Sequence, residues 1–369
     1  MRAARAYQGE RHMRLEEVPV PDPGPNDVLV RVESAGLTRG LVAMWWFTPM
    51  IRLPGTLGHD IAGTVVSVGS DVTAVEPGAR VWVSTALQCG TCDACVRGDD
   101  NLCRNLAVMG YALYGDGGQR VYERYHDGGF AEYVLAPAVN VNLLPDSIDI
   151  AIAGKIGTIA GALRALTLAG SHPGGTLVVT GAGGATGGAV VQLAAVLGYA
   201  HVIAVARSDA GLARLGAPDA TVVTPVTTES LATDWVEQGG LTDTLRQHAR
   251  ATGDVDALVD LMPMGTDVTL QALRCVRPGG TAVLMGGNVQ RLTIDYLQVM
   301  RNQWHIVGNR GHRRSDEHAV ADLLAGHLFD AERLLTHRFD LDAINEAIDT
   351  VMERRASPGM VVVQPAEAV

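Results

Sequence analysis

The stretch Thr176–Gly198, TLVVTGAGGATGGAVVQLAAVLG, decides the fold. A short β-prone run, TLVVT, meets a glycine-rich turn, and the turn opens directly into an apolar helical segment. The next run, HVIAVAR, is again β-prone, so the whole reads as strand, turn, helix and parallel strand. Within the turn, Ala182, Gly184 and Gly187 form an A-x-G-x-x-G pattern. Small residues at that spacing permit a tight turn, close backbone approach to a pyrophosphate and close packing of the helix, whose N-terminus faces the anion. Gly181, Ala182, Gly184, Ala185, Thr186 and Gly187 are therefore the expected dinucleotide contacts. The context of the pattern, after a strand and before a helix, is what separates it from an ordinary glycine turn.

Working outward, the end of the second strand selects between NAD and NADP. An acidic residue there would bind the ribose 2′-hydroxyl. Here the turn holds Ala206, Arg207 and Ser208, with no carboxylate before Asp209. Arg207 can form charge-assisted bonds to a 2′-phosphate, so NADPH is the expected cofactor, with Ser208 beside it. The alternative is a solvated surface arginine. Further strand and helix signals come in DALVD, TLQALRCVRPGG, TAVLMGG and HIVGNRG, and Gly286 of TAVLMGG joins the cofactor set. Upstream, DVLVRVESAG, GHDIAGTVVSVGS, ARVWVS and GFAEYVLAP alternate short β-branched runs with Gly and Pro, the texture of an irregular, mostly β domain.

A chain of 369 residues exceeds the size at which one core usually stops growing, so two domains are expected. The net charge of −11, without runs of Lys or Arg, speaks against nucleic acid or an anionic membrane surface and leaves small molecules as the partner class. The N-terminal segment lacks the apolar core of a signal peptide, and no run approaches a membrane span, so a cytoplasmic location is expected.

Four of the five cysteines fall in CGTCDACVRGDDNLC, Cys89–Cys103. Four thiolates complete tetrahedral zinc and leave no open position for water or substrate, which defines a structural site. Cys89, Cys92, Cys95 and Cys103 are the expected ligands of one structural zinc ion; the competing reading is free or redox-active thiols. Cys275 reads as ordinary packing.

EEVPVPDPGPNDVLVRVESAG, GHDIAGTVVSVGSDV, the cysteine lobe, DGGFAEYV, the glycine turn and RPGGTAVLMGG together resemble the medium-chain dehydrogenase/reductase superfamily nearly end to end. The cysteine lobe is similar to that of zinc alcohol dehydrogenases, and VTGAGGATGGAVVQLAA to the quinone oxidoreductase and enoyl reductase branch. The fold implied is α/β: a GroES-like, mostly β catalytic domain plus a Rossmann domain with a doubly wound parallel sheet. The expected boundaries are 1–156 for the catalytic domain with the zinc lobe at 89–103, 157–305 for the NADP-binding domain, and 306–369 for a return to the catalytic domain. A homodimer or homotetramer, formed partly through edge strands of the Rossmann sheet, is also implied.

The resemblance locates an active-site corner and then departs from its pattern. Family members with a catalytic zinc take one ligand from the cysteine of an A-G-x-C-G-[ST]-D stretch, one from the histidine of G-H-E and one just before the Rossmann domain. In SAGLTRGLV, Thr38 falls at the cysteine, Arg39 at the glycine, Gly40 at the relay hydroxyl and Leu41 at the acid. His59 remains, Asp60 replaces the glutamate, and Gly157 falls near the third ligand. One ligand of three is too few for an open catalytic zinc. The sequence therefore predicts an NADPH-dependent reductase that delivers hydride to an activated C=C of an enone, enal or quinone, or to an iminium, without a catalytic zinc. Thr38, His59 and Asp60 are its candidate donors or relays, with a buried structural imidazole as the plainer account of His59. A zinc-dependent alcohol or aldehyde dehydrogenase and a non-catalytic dinucleotide-binding protein are the alternatives. Trp45, Trp46 and Phe47 read equally as substrate-stacking or packing residues. The segment Tyr111–His126 reads as a polar surface excursion, or as a source of a phenolic donor.

Overall fold

The computed structural model describes residues 1–213, 215–216, 221–353 and 359–365. The strand Thr176–Thr180 is the first of six parallel strands, the others being His201–Ala206, Val222–Thr227, Val255–Asp260, Val276–Leu284 and His305–Gly308. Counted along the chain, their order across the sheet is 3-2-1-4-5-6. All five residues of Thr176–Thr180 are buried, because helices cover both faces of a parallel sheet. Alternation divides their side chains: Leu177 and Val179 enter one apolar cluster, Val178 another. The strand order reverses between the first and fourth strands, which opens a crevice at their carboxyl ends.

The upstream runs form a second sheet, ordered Val141–Leu143, Arg80–Val83, Ile61–Val68, Asp27–Leu37, Met360–Gln364 and Leu335–Asp340, with Tyr133–Pro137 also paired to Asp27–Leu37. The chain thus returns near its end, where Val361 and Val363 pair antiparallel with Leu37 and Ala35. The fold is a GroES-like β domain joined to a Rossmann sheet. The boundary expected at 305/306 falls inside a strand, since Ile306 and Val307 continue the parallel pairing with Ala282 and Val283.

Helix Ile156–Ala169 links the two bodies. Its buried Ile156, Ile159, Leu163 and Leu166 recur at helical spacing and fix it in the core shared with the Rossmann sheet. Its first turn lies against the β domain, and that placement delivers Gly157 and Thr158 to the active-site corner.

The cysteine lobe is inserted between the first two strands of a small antiparallel sheet of Ala86–Leu87, Ala107–Val108 and Ala112–Leu113. The segment Tyr111–His126, expected as a surface excursion, is instead anchored in the interior. Tyr122, in helix Gln119–Arg124, is 3% exposed and belongs to the β-domain core, while Arg124 and the Tyr125 hydroxyl both bond the buried Asp27 carboxylate.

Candidate active site

The glycine turn stands at the reversal of strand order. Gly181 has φ +67°, and a β-carbon there would lie 3.0 Å from the Leu261 carbonyl oxygen. At Gly187 a β-carbon would meet the Gly181 carbonyl oxygen at 2.3 Å, so only glycine lets the helix sit this close to the turn. Ala182 is buried and its N–H donates to Val205. Helix Ala185–Leu193 begins at Gly184 without a side-chain cap, so no side chain of that residue covers its N-terminal N–H groups. Across the crevice, Asp260, Thr269, Met285, Gly286 and Asn309 line an open cavity of about 310 Å³. Asp260 accepts from the hydroxyls of Thr180 at 2.5 Å and Thr269 at 2.9 Å, and burial holds its carboxyl above the usual range despite those bonds. The Asn309 side-chain oxygen is enclosed beside this cavity and has no partner. Neither Asp260 nor Asn309 belongs to a motif, and only the cavity reveals them.

Arg207 and Ser208 lie at the end of the second strand as expected, with Ser208 at the N-cap of the short helix Asp209–Leu212. Sequence reading missed Glu229, whose carboxylate lies 3.4 Å from the Arg207 guanidinium; both side chains are more than half exposed.

The corner is assembled from five places in the chain: residues 38, 59–60, 111, 155–158 and 312–317. Thr38 caps helix Arg39–Phe47, its hydroxyl oxygen accepting from the Leu41 N–H at 3.2 Å, which leaves the O–H free to donate elsewhere. His59 is partly exposed, yet its Nδ1 is enclosed and unpartnered. Burial outweighs the pull of Asp60 and holds the imidazole below its ordinary value, hence neutral at pH 7. Asp60 is 5% exposed. Its carboxylate accepts from Thr158 Oγ1 at 2.5 Å and lies 3.6 Å from Nζ of the fully buried Lys155. Burial would raise the Asp60 carboxyl, but the Lys155 ammonium and the bond from Thr158 hold it low. Asp60 thus stands behind the corner, as half of a buried ion pair, and does not face the cleft. His312 Nε2–H donates to the Glu317 carboxylate at 2.8 Å, and Glu317 also receives the hydroxyl of Ser84.

The segment Tyr111–His126 was read as a surface excursion or a source of a phenolic donor with no tyrosine singled out, and the structure brings Tyr111 to the corner. This tyrosine occupies the turn between Ala107–Val108 and Ala112–Leu113, and its ring lies 4.7 Å from the His59 ring, tilted by 41°. Burial, with Tyr114 adding to it, pushes the Tyr111 phenol well above its ordinary value. Trp45 is core, with its indole N–H donating to the Tyr7 carbonyl at 3.0 Å. The Arg11 guanidinium covers Trp46, 4.4 Å from its ring, and Phe47 is exposed, so this trio is packing and surface rather than a stacking platform.

The donor sets test the two zinc sites. Around the lobe, Sγ–Sγ separations are 3.6 Å for Cys92–Cys95 and for Cys89–Cys103, 3.9 Å for Cys92–Cys103 and 4.0 Å for Cys89–Cys95. Zinc with sulfur at about 2.3 Å demands tetrahedron edges of about 3.8 Å. The lobe fits a structural zinc. Among the described residues, this is the one group that brings three or more Cys, His, Asp or Glu donor atoms within 4.8 Å of one another. At Gly157, a β-carbon would stand 2.3 Å from the Asp60 carboxylate, so these neighbours leave no room for a third ligand. The corner does not fit a three-ligand zinc. Cys275 is a packing residue: its thiol reaches the Thr242 carbonyl at 3.4 Å and burial pushes it up to about 12.

Known proteins give this geometry its class. The profile of the alcohol dehydrogenase GroES-like domain matches residues 24–146, and that of the zinc-binding dehydrogenases matches residues 185–326. L-threonine 3-dehydrogenase of Chelativorans sp. (strain BNC1) is 28% identical over 98% of both chains, and L-galactonate-5-dehydrogenase of Escherichia coli (strain K12) is 28% identical over 93% of both. A solved structure from Sinorhizobium meliloti 1021, described as a zinc-binding dehydrogenase bound to NADP, superposes with a TM-score of 0.82 at 28% identity, covering 99% of each chain. The chain belongs to the medium-chain dehydrogenase/reductase superfamily, on its zinc alcohol dehydrogenase-like side, and is an oxidoreductase.

These relatives correct the expected reaction. Their names are those of alcohol-oxidising dehydrogenases, and they overturn the reading of a zinc-free reductase of activated C=C or iminium bonds. The chain as a whole resembles enzymes that interconvert alcohols and carbonyls, in line with the alcohol dehydrogenase alternative.

Proposed function

We propose that this chain is an NADP(H)-dependent dehydrogenase that interconverts a secondary alcohol and its carbonyl compound, with a polar group beside the carbinol. The observation that carries this reading is similarity over nearly the full length to threonine and galactonate dehydrogenases, combined with an intact dinucleotide turn at the reversal of strand order. Bound NADP(H) supplies hydride transfer at its nicotinamide carbon. The chain's residues do the rest: Gly181 to Gly187 and the uncapped helix hold the pyrophosphate, Arg207 and Ser208 meet the 2′-phosphate, and Gly286 borders the nicotinamide side. The zinc lobe holds the loops that shape the corner, and His59 with Thr38 presents polar atoms to the substrate oxygen.

The second zinc that the family name implies lacks a donor set among the described residues, so this proposal leaves polarisation of the substrate oxygen to hydrogen-bond donors. No helix among the described residues is long and apolar enough to cross a membrane, and we place the protein in the cytoplasm. The outer strand His305–Gly308, with exposed Tyr296, Leu297 and Met300 on the preceding helix, supports a homodimer or homotetramer through that edge.

The test is reduction of NADP+ monitored at 340 nm with a panel of β-hydroxy amino acids, aldonates and polyols, and oxidation of NADPH with the matching ketones. Turnover in at least one alcohol–ketone pair is expected. Turnover of enones or cyclic imines alone would defeat the proposal.

A further inference from the structure

Resting on the dehydrogenase reading, we propose that Tyr111 is a catalytic residue: its phenol donates the proton to the carbonyl oxygen during reduction and accepts it back during alcohol oxidation.

The space at the corner is the first support. Gly40 is exposed, and a β-carbon built on it would find two heavy atoms within 4 Å, the Tyr111 hydroxyl at 3.8 Å and the Thr38 hydroxyl at 3.9 Å. Two hydroxyls therefore border an otherwise open volume beside His59. Each hydroxyl already has one neighbour, Thr38 accepting the capping bond and Tyr111 standing against Tyr114, and of the two the phenol is by nature the stronger acid.

The backbone holds Tyr111 there. Gly110, with φ +59°, brings its chain so close to Gly58 and Gly128 that a β-carbon would lie 2.3 Å from the Gly58 carbonyl oxygen. Gly58 N–H donates to Gly110 O at 3.1 Å, and Gly110 N–H to His126 O at 3.0 Å. Gly58 immediately precedes His59, so this glycine contact sets the Tyr111 ring against the imidazole. The segment Gly58–His59 and the hairpin turn Gly110–Tyr111 are one positioning unit.

A route for the proton also exists. The Tyr111 and Tyr114 rings lie 6.3 Å apart, tilted by 31°, and Tyr114 is 39% exposed, so it stands between the Tyr111 phenol and solvent. Burial raises the Tyr114 phenol, opposed only in part by Tyr111 and by the Arg310 guanidinium 5.2 Å from its ring, so Tyr114 too keeps its proton and can pass one on by exchange. With burial keeping the Tyr111 proton on oxygen at neutral pH, the phenol enters reduction as a donor.

Bound NADPH would supply hydride to the carbonyl carbon; as the C=O π pair moved to oxygen, that oxygen would take the proton from Tyr111, whose O–H bond breaks. The carbonyl is reduced and NADPH oxidised. Tyr111 recovers a proton through Tyr114 from solvent.

The experiment compares wild type with Tyr111→Phe, which keeps the ring against His59 and removes the hydroxyl alone. Three quantities are read: kcat/KM for NADPH-dependent ketone reduction, the Kd of NADPH by fluorescence, and the Kd of isobutyramide, a non-reacting carbonyl analogue, for the NADPH complex. We expect kcat/KM to fall by at least about 100-fold, isobutyramide to bind about tenfold more weakly, and NADPH Kd to hold within about twofold. Turnover within about threefold of wild type overturns the assignment, as does lost turnover with isobutyramide binding intact, since the phenol then does not touch the substrate oxygen. A wild-type enzyme that turns over no alcohol or ketone and binds no isobutyramide instead removes the dehydrogenase reading, and Tyr111 with it.

Discussion

Arg207 shows how much a single side chain can and cannot specify. Its cationic fork at the end of the second strand suits a 2′-phosphate, but Glu229 stands 3.4 Å away and competes for it. Both side chains are solvated, so their mutual attraction is weak and a phosphate with its higher charge wins the guanidinium. Arg207→Ala is expected to lower the kcat/KM ratio of NADPH to NADH about tenfold, and Glu229→Ala to raise it, both read in initial-rate assays. An unchanged ratio in Arg207→Ala would remove the assignment. Arg207 was legible because it occupies a fixed offset from a recognised turn. Glu229 was not, for it arrives from the end of the third strand. Lys155 was equally hidden: a lysine before an apolar helix looks solvated, and only the fold shows it fully buried, 3.6 Å from the distant Asp60.

At the scale of elements, the zinc lobe and the catalytic corner prove to be one construction. Asp99 pairs with Arg313, the Asp100 carboxylate accepts from the Arg314 N–H, and the Asn101 side chain donates to the Arg310 carbonyl at 2.8 Å. The lobe thereby fastens the loop after the last Rossmann strand, and its exit runs into the hairpin that carries Tyr111. Protein purified without added metal is expected to hold about one zinc per chain by elemental mass spectrometry, and Cys92→Ser to hold almost none. The same variant should lose carbonyl reduction, because the hairpin loses its anchor, while NADPH Kd changes little. About two equivalents in the wild type would reveal a second metal that the donor set at His59 does not explain. The four cysteines were legible from spacing alone. The hairpin was not, because YALYGDGGQRVYERYH has the composition of a surface loop, and its aromatic contacts to His59 and Asp27 are long-range.

For the whole molecule, the strand–turn–helix unit and the β-rich beginning and end of the chain sufficed to foresee two sheets and a crevice between them. They did not suffice for the reaction. Losing the family's cysteine at Thr38 says which ligand is missing, but it does not say which groups have moved into the space. In the folded chain that space holds a buried Lys155–Asp60 pair behind a neutral His59, and a phenol in front of it. Such an arrangement can activate a carbonyl by hydrogen bonding in a partly dry corner, in keeping with the alcohol–carbonyl chemistry of the relatives. The most direct measurement is the destination of hydride in a substrate that offers both bonds: 2-cyclohexen-1-one incubated with NADPH dideuterated at C4, the product read by proton and deuterium NMR. Deuterium on the carbinol carbon of 2-cyclohexenol is the predicted result. Deuterium on the β-carbon of cyclohexanone would contradict the account and restore reduction of the activated double bond.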